Sequence, residues 1–424
     1  MYRSSSRQLL AMVVLATAVA CSSSGGSADP YEFQVDVEDG IPVATTVGGP
    51  RYEEPIFKYQ EELVLKQDPG NPESLLSGSG TISMGDDGCF YVIDRRASRV
   101  AVFDGEGNYL RSFGARGSGP GEFFYGMSLL DHRDGVLIVW DPNFRRVTTF
   151  RENGELIESR FSSQEQSHDA GMLPIPQGGW VMLSGSGFRP VGGYSYQWRR
   201  AVVTDAKGDT LTDIRTEPVK FDFVIQYPGT TDHPGGVGGR IMEFVGVGVM
   251  RYLPDEGILV STNGWNPEIV HRDLNGNLCR VIRVEMEREP VTPEIQARIR
   301  RIHEDEYASR AAEEWRSDPA TRAEMEAQKF LERKAFWSGM EIDDMGWYWL
   351  LIPELGPDIR EQGGLAYRVL TPEGEYLGNS RRPYGSSNTI RKGRCLNLSL
   401  NEDTGEPQAT IYRITSAVEG VVYP

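Results

Sequence analysis

The sequence predicts an all-β fold, a six-bladed β-propeller with a helical insertion between blades four and five. Three observations carry that prediction: a long unit repeats at a fixed offset, turn glycines recur in six pairs, and one N-terminal strand supplies what the last repeat lacks. The unit DDGCFYVIDRRASRVAVFDGEGNYLRSFG, residues 86–114, returns as RDGVLIVWDPNFRRVTTFRENGELIESRF, residues 133–161. Gly88, Asp94, Arg99, Phe103 and Gly107 map onto Gly135, Asp141, Arg146, Phe150 and Gly154, each 47 positions on. Short apolar runs separated by Asp-Gly or Asn-Gly turns are the pattern of regularly spaced antiparallel strands.

The glycine pairs count the blades. Gly88/Gly107, Gly135/Gly154 and Gly257/Gly276 are each 19 apart, whereas Gly179/Gly208 and Gly346/Gly374 are 29 and 28 apart and so carry insertions. Gly393/Gly405 closes a shortened sixth unit. In each unit the first glycine falls between strands A and B, the second between C and D. The sixth unit supplies only three strands, near 388–391, 394–400 and 408–414. The segment EELVLKQ at 61–67 precedes the first unit without a place in it, so it is expected as the outer strand of blade six. That pairing closes the ring.

Alternating strand direction puts B–C loops and D-to-A connections on one face, and the short glycine turns on the other. All long insertions fall on the first face, at 184–200, 352–365 and in the connections after units three and four. The longest, about 286–335, reads as helical. Thr292 can cap, Pro293 suits the first helical position, and Ile295, Ile299 and Ile302 share one side. A second helix is expected from Asp318-Pro319 to about Phe336, with Met325 and Phe330 inward.

The N-terminus has its own chemistry. Arg3 and Arg7 precede an apolar run, Leu9 to Ala20, which ends at Cys21. This run is short for a bilayer span and fits a signal-peptide core. Ala18-Val19-Ala20-Cys21 resembles the bacterial lipobox. That resemblance implies a signal peptide over 1–20, a diacylated Cys21, and a protein held by lipid at the outer membrane or the periplasmic side, in the extracytoplasmic cell envelope. Residues 21–50, with SSSGGS at 22–27, are expected as a flexible tether, and 51–424 as the propeller. With 61 acidic against 44 basic residues the chain carries −17, which excludes nucleic acid as a partner. Cys89, Cys279 and Cys395 fit neither a disulfide framework nor a zinc motif, and are expected as buried thiols.

Over residues 80–161 the units resemble NHL repeats, with an Asp-Gly turn, a strand ending in Val-x-Asp, then Arg-Val/Ile-x-x-Phe. GSGPGEF at 117–123 is also typical of that family. The chain is similar to six-bladed propeller lipoproteins of bacterial envelopes. Enzymes of this kind have recognisable needs. The amidating-lyase type converges histidines on a metal. Here His132 lies beside an A–B turn, His271 in a strand C and His303 in the insertion, leaving His168 and His233 in loops. The gluconolactonase type holds calcium on carboxylates of the inner strands. The expected inner strands (TISMG, GMSLL, GMLPI, VGVMRY, FWSGM, NTIRK) line the channel mostly with apolar and hydroxyl groups. GGVGG at 235–239 lacks the strand-to-helix setting of a phosphate site. No metal, cofactor or catalytic residue is therefore expected.

Binding has more to work with. Arg189, Tyr194, Tyr196 and Trp198 share the unit-three B–C loop, and Asn263, Trp265 and Asn266 hold the same place in unit four, with His233 in the connection between. Tyr, Trp and Arg are the residues enriched at binding hot spots, suiting a protein, peptide or glycan ligand. The Asp94/Arg99 and Asp141/Arg146 pairs end strand B and begin strand C, and are expected to pair across the loop as blade structure. The sequence favours a membrane-anchored binding or scaffolding propeller with its site on the B–C and D–A face. The alternative is a propeller hydrolase or lyase, with or without a metal.

Overall fold

The computed structural model describes residues 31–161, 171–176, 178–185, 189–191, 194–216, 219–221, 244, 246, 248–310, 330–385, 387–401 and 403–423. Two strands, β1 (Glu32–Glu38) and β2 (Ile41–Val47), come first, followed by β3 (Phe57–Val64). Blade one is β4 (Gly80–Met84), β5 (Phe90–Asp94), β6 (Arg99–Phe103) and β7 (Tyr109–Phe113). A linker with β8 (Ala115–Arg116) and β9 (Glu122–Phe123) leads to blade two: β10 (Ser128–Arg133), β11 (Val136–Asp141), β12 (Arg146–Arg151) and β13 (Leu156–Phe161). Blade three is β14 (Gly171–Pro174), β15 (Trp180–Gly185), β18 (Arg199–Thr204) and β19 (Thr210–Arg215), with β16 (Arg189–Val191) and β17 (Tyr194–Gln197) in its B–C loop. After β20 (Val219–Phe221), blade four is β21 (Val249–Leu253), β22 (Ile258–Thr262), β23 (Glu268–Asp273) and β24 (Leu278–Val284). Helix α1 (Pro293–Arg310) precedes blade five: β25 (Gly339–Ile342), β26 (Tyr348–Leu351), a short helix α2 (Gly356–Glu361), β27 (Ala366–Leu370) and β28 (Tyr376–Arg381). Blade six is β29 (Ser387–Arg391), β30 (Arg394–Leu400) and β31 (Pro407–Ser416), completed by β3.

The twelve turn glycines set this geometry. All of them have positive φ, from 67° at Gly257 to 117° at Gly179, a region costly for side chains with a Cβ. Just before the C–D turn a bulge shifts the register at the same place in blades one to five, for example between Val102 and Phe103 and between Thr149 and Phe150. The core lies between blades. Tyr91, Ile93, Leu137 and Val139 fill the space between blades one and two, and Trp349, Val369, Ile390 and Cys395 that between five and six.

β3 runs antiparallel to β31 from Phe57↔Ser416 to Val64↔Thr410, so the ring is closed by the N-terminal strand. The strand begins four residues before the expected Glu61. Upstream lies a correction. Residues 32–47, expected within a tether, form a hairpin whose β2 pairs in parallel with β24, making blade four six-stranded. The run IPVATTV is rich in β-branched residues, and Val43, Ala44 and Thr46 are buried against the blade. The new outer edge, β1, leaves Val35 and Val37 exposed.

The insertions gather on one face. β17, from a B–C loop, pairs with β20, from the following D–A connection. Thr292 caps α1, its carbonyl accepting from the Gln296 N–H at 2.9 Å. Ile295, Ile299 and Ile302 of α1 pack with Leu355, Phe244 and Val291 in a separate cluster, and Arg298 ion-pairs with Asp358 of α2. The insertion's ends meet: Val291 N–H donates to Glu332 and Lys334 N–H to Glu289. Of the second expected helix, residues 318–329, including Met325, lie outside the described residues. Residues 330–336 are not helical, because Pro290 and Arg333 bridge there and Phe336 turns into the core between blades four and five. No helix among the described residues is long and apolar enough to cross a membrane.

Candidate ligand channel

Six inner strands face one another around a central cavity of about 970 Å³. Its wall includes Thr81 and Ser83 of β4, Asp131, His132 and Arg133 of β10, Arg251 of β21, Glu341 of β25 and Arg391 of β29. This corrects the expectation of a mostly apolar and hydroxyl lining. The inner strands of blades two and five run further toward the A–B turns than their sequence windows, so Asp131 and Glu341 lay outside GMSLL and FWSGM.

The carboxylates deep in this wall are engaged. Asp131 pairs with Arg133 at 2.6 Å, and Arg133 with Asp255 at 2.8 Å. Glu341 pairs with Arg382 at 2.5 Å and accepts from the Ile390 N–H at 3.2 Å. Asp343 accepts from Trp349 Nε1 at 2.8 Å, from Tyr423 and from two backbone N–H groups; burial raises its pKa against these bonds.

Two cations are left over. Among the described residues Arg251 makes a single bond, to its neighbour's carbonyl Met250 O at 3.3 Å, and no ion pair. It is exposed to the channel, whose wall it helps to form. Desolvation by the surrounding blades pushes its guanidinium below the ordinary value; Glu341 opposes that shift and the positive charge of Arg199 adds to it. Among the described residues Arg391 also forms no ion pair, and its Nε is buried without a partner.

Two histidines are buried and neutral. Burial, then the charge of Arg391, lowers His132 to about 3; burial, then Arg280, lowers His271 to about 4. Unfolded histidine titrates near 6.5, so below that pH the unfolded chain takes up protons that the folded chain refuses. The stability these two groups hold is complete above about pH 6.5 and falls as pH drops toward 4 and 3. Each contributes a loss of about 2 kcal/mol by pH 5. His271 Nε2 lies 3.1 Å from Tyr348 Oη, a contact that glutamine can keep. Urea unfolding at pH 7.5 and 5.0 should therefore show His271→Gln losing about 2 kcal/mol less than wild type. Equal losses would contradict a buried neutral ring.

Of the residues expected to bind, Trp198, Asn263, Trp265 and Asn266 are not part of the described channel wall. Asn263 Oδ1 accepts from the N–H groups of Trp265 and Asn266, both at 2.9 Å, so it braces its own turn. Trp265 donates to Gly246 O at 3.2 Å under the Arg288 guanidinium, and Asn266 is exposed. Trp198 is half-buried. The backbones of Arg189, Tyr194 and Tyr196 lie in β16 and β17, but their side chains are outside the description, as are Cys21, His168, His233 and residues 235–239. The Asp/Arg pairs are corrected too. Asp94 and Arg99 sit opposite in register, yet Asp94 accepts from Ser77 and Ala97 while Arg99 donates to Leu75 O and Ser112. Asp141 likewise accepts from Phe124, Asn143 and Phe144, and Arg146 donates to Ser118 O and Glu122 O. Both pairs tie the incoming D–A connection to the blade rather than pairing with each other. Cys89, Cys279 and Cys395 are free thiols; Cys395 is buried, as expected, whereas Cys89 and Cys279 are half-buried.

A family model, DUF5128, described as a 6-bladed beta-propeller, matches residues 71–165, which hold blades one and two. The fold is a six-bladed β-propeller. Among solved structures the chain is similar to a protein of Bacteroides fragilis assigned as exported, at 11% identity and TM-score 0.48, covering 87% of this chain and 98% of that one. It is also similar to a DUF4221 family member from Bacteroides vulgatus, at 10% identity and TM-score 0.45, covering 86% and 100%. A virginiamycin B lyase from Staphylococcus aureus follows at 12% identity and TM-score 0.35, covering 84% and 88%. No curated protein matches the chain.

Proposed function

We propose that this protein is a lipid-anchored, extracytoplasmic binding propeller whose central channel takes a ligand bearing a carboxylate. The observation that carries this reading is Arg251, a guanidinium open to the channel with no ion-pair partner among the described residues. Arg251 is exposed to the channel, and the neighbouring Asp131 and Glu341 are already engaged. An anion that enters the channel meets an uncommitted guanidinium there. Guanidinium groups suit planar carboxylates, which they hold through two parallel bonds. A cavity of about 970 Å³ accommodates a small ligand or one end of a larger one. Entry is by the face bearing α1, α2 and the β16–β17–β20 sheet, the face to which the sequence assigned Arg189, Tyr194, Tyr196 and Trp198. The Leu9–Ala20 run and Cys21 support the anchor, and the recurring Arg-Val-x-x-Phe units support an NHL type of repeat.

Titration calorimetry with glucuronate and with N-acetylglutamate, against glucose as the neutral control, tests this. At least one acid should bind, and Arg251→Gln should weaken it about tenfold or more, as expected for a lost charge-assisted bond. No binding of either acid, or equal binding by Arg251→Gln, would overturn the reading. A second reading, catalysis, is favoured by one specific arrangement in the same channel.

A further inference from the structure

At the end of the channel beside the A–B turns, three side chains from two blades form a chain of hydrogen bonds. Ser83 Oγ lies 2.9 Å from His132 Nδ1, and His132 Nε2 lies 3.1 Å from Glu152 Oε1. Ser83 lies near the end of the inner strand of blade one, His132 on the inner strand of blade two, and Glu152 follows β12 at the C–D turn. Ser83 and His132 are on the channel wall, each only 2% exposed. Glu152 is braced from behind, its Oε1 accepting the Asp86 N–H at 2.8 Å. The Tyr91 ring meets the imidazole edge-on at 4.9 Å, which fixes its plane.

The partners dictate the tautomer. A carboxylate can only accept, so His132 Nε2 carries the proton and donates to Glu152. The ring is neutral, so Nδ1 has a free lone pair, and that lone pair faces the Ser83 hydroxyl. A serine donating to a histidine that donates to a carboxylate is the arrangement that makes a hydroxyl nucleophilic.

We infer that Ser83, His132 and Glu152 form a hydrolytic relay that cleaves an ester or amide of the ligand held in the channel. This rests on the channel being the ligand site. Ser83 Oγ bonds to the carbonyl carbon as its proton passes to His132 Nδ1. The bond to the leaving alcohol or amine then breaks, and Nδ1 returns the proton to that group. Water repeats the sequence on the acyl-serine, giving the free acid and restoring Ser83. Glu152 is a positioning residue that holds the ring and balances the transient imidazolium. The other charged groups facing the ring are Asp86 and Asp87 of blade one and Arg391 and Lys392 of blade six. Lys392 is taken by Asp86 at 2.9 Å, which leaves Arg391 as the cation available to a developing oxyanion.

The test is covalent labelling of the whole protein with an alkyl fluorophosphonate, followed by intact mass and peptide mapping. One adduct is expected, on Ser83, and Ser83→Ala should abolish it with an unchanged melting temperature. His132→Gln should slow labelling about a hundredfold. Glu152→Gln should slow it and move the pH at which labelling half-rises, a readout that a purely structural brace would leave alone. The probe carries no carboxylate, so its adduct on Ser83 reports the relay separately from glucuronate binding in the same channel. Folded wild-type protein that takes no adduct at Ser83, from the fluorophosphonate or from a smaller sulfonyl fluoride, would overturn the relay and leave a structural hydrogen-bond network. Labelling at Ser83 without carboxylate binding would instead sink the anion site alone.

Discussion

Removing residues 56–65, which are β3 and the residue on either side of it, should abolish cooperative unfolding of the propeller. The strand is the fourth of blade six, and without it β31 becomes an open edge. Ile56 and Phe57 at its start and Leu65 just beyond it are all buried. Phe57 lies 5.6 Å from Trp349 and 5.1 Å from Tyr423, so its loss loosens blade five as well. Losses of this kind cost about 2–5 kcal/mol per buried side chain. Three together rival the whole stability of a typical domain, about 5–15 kcal/mol. Near-ultraviolet circular dichroism should show fixed aromatic packing gone and a broad thermal change in place of a transition. A deleted chain that melts within a few degrees of wild type would refute closure by this strand.

Glu341→Gln should be the most destabilising single substitution in the channel wall, and more damaging than Arg382→Met. Arg382 is 0% exposed, stacked 4.3 Å from Trp349 and 4.1 Å from Tyr367, and its Nε and Nη2 have no hydrogen-bond partner. Glu341 is its only carboxylate partner among the described residues. Removing that carboxylate strands a cation inside the protein, at about 3–5 kcal/mol. Methionine at 382 removes the cation and keeps much of the volume, while Glu341, 28% exposed, can still reach channel water. Urea unfolding of the two variants gives the order directly. A larger loss for Arg382→Met would mean that stacking, not charge, governs the site.

The blade count was legible because it rests on backbone conformation. A turn that needs positive φ selects glycine, so the glycine spacing carried the repeat even where units three and six had drifted. The hairpin at 32–47 was legible too. Asp39 and Gly40 both have positive φ, and an Asp-Gly pair between β-branched runs is a strong hairpin signal, masked by its nearness to the Ser/Gly-rich segment. The channel was harder to see. Side chains alternate along a strand, so an error of one residue exchanges wall for core. The bulge between Leu129 and Asp131 makes that error in blade two, and placing β25 three residues early makes it in blade five. Ser83, His132 and Glu152 were out of reach for another reason. They are 49 and 20 positions apart on different strands, and only ring geometry brings them together.

The central claim is that the channel holds an anion on Arg251, and anomalous scattering tests it most directly. Crystals soaked in selenate should show a selenium peak inside the cavity, within hydrogen-bond reach of the Arg251 guanidinium, and Arg251→Gln crystals should lose that peak alone. Selenate found only on the outer surface, with water against Arg251, would contradict the account.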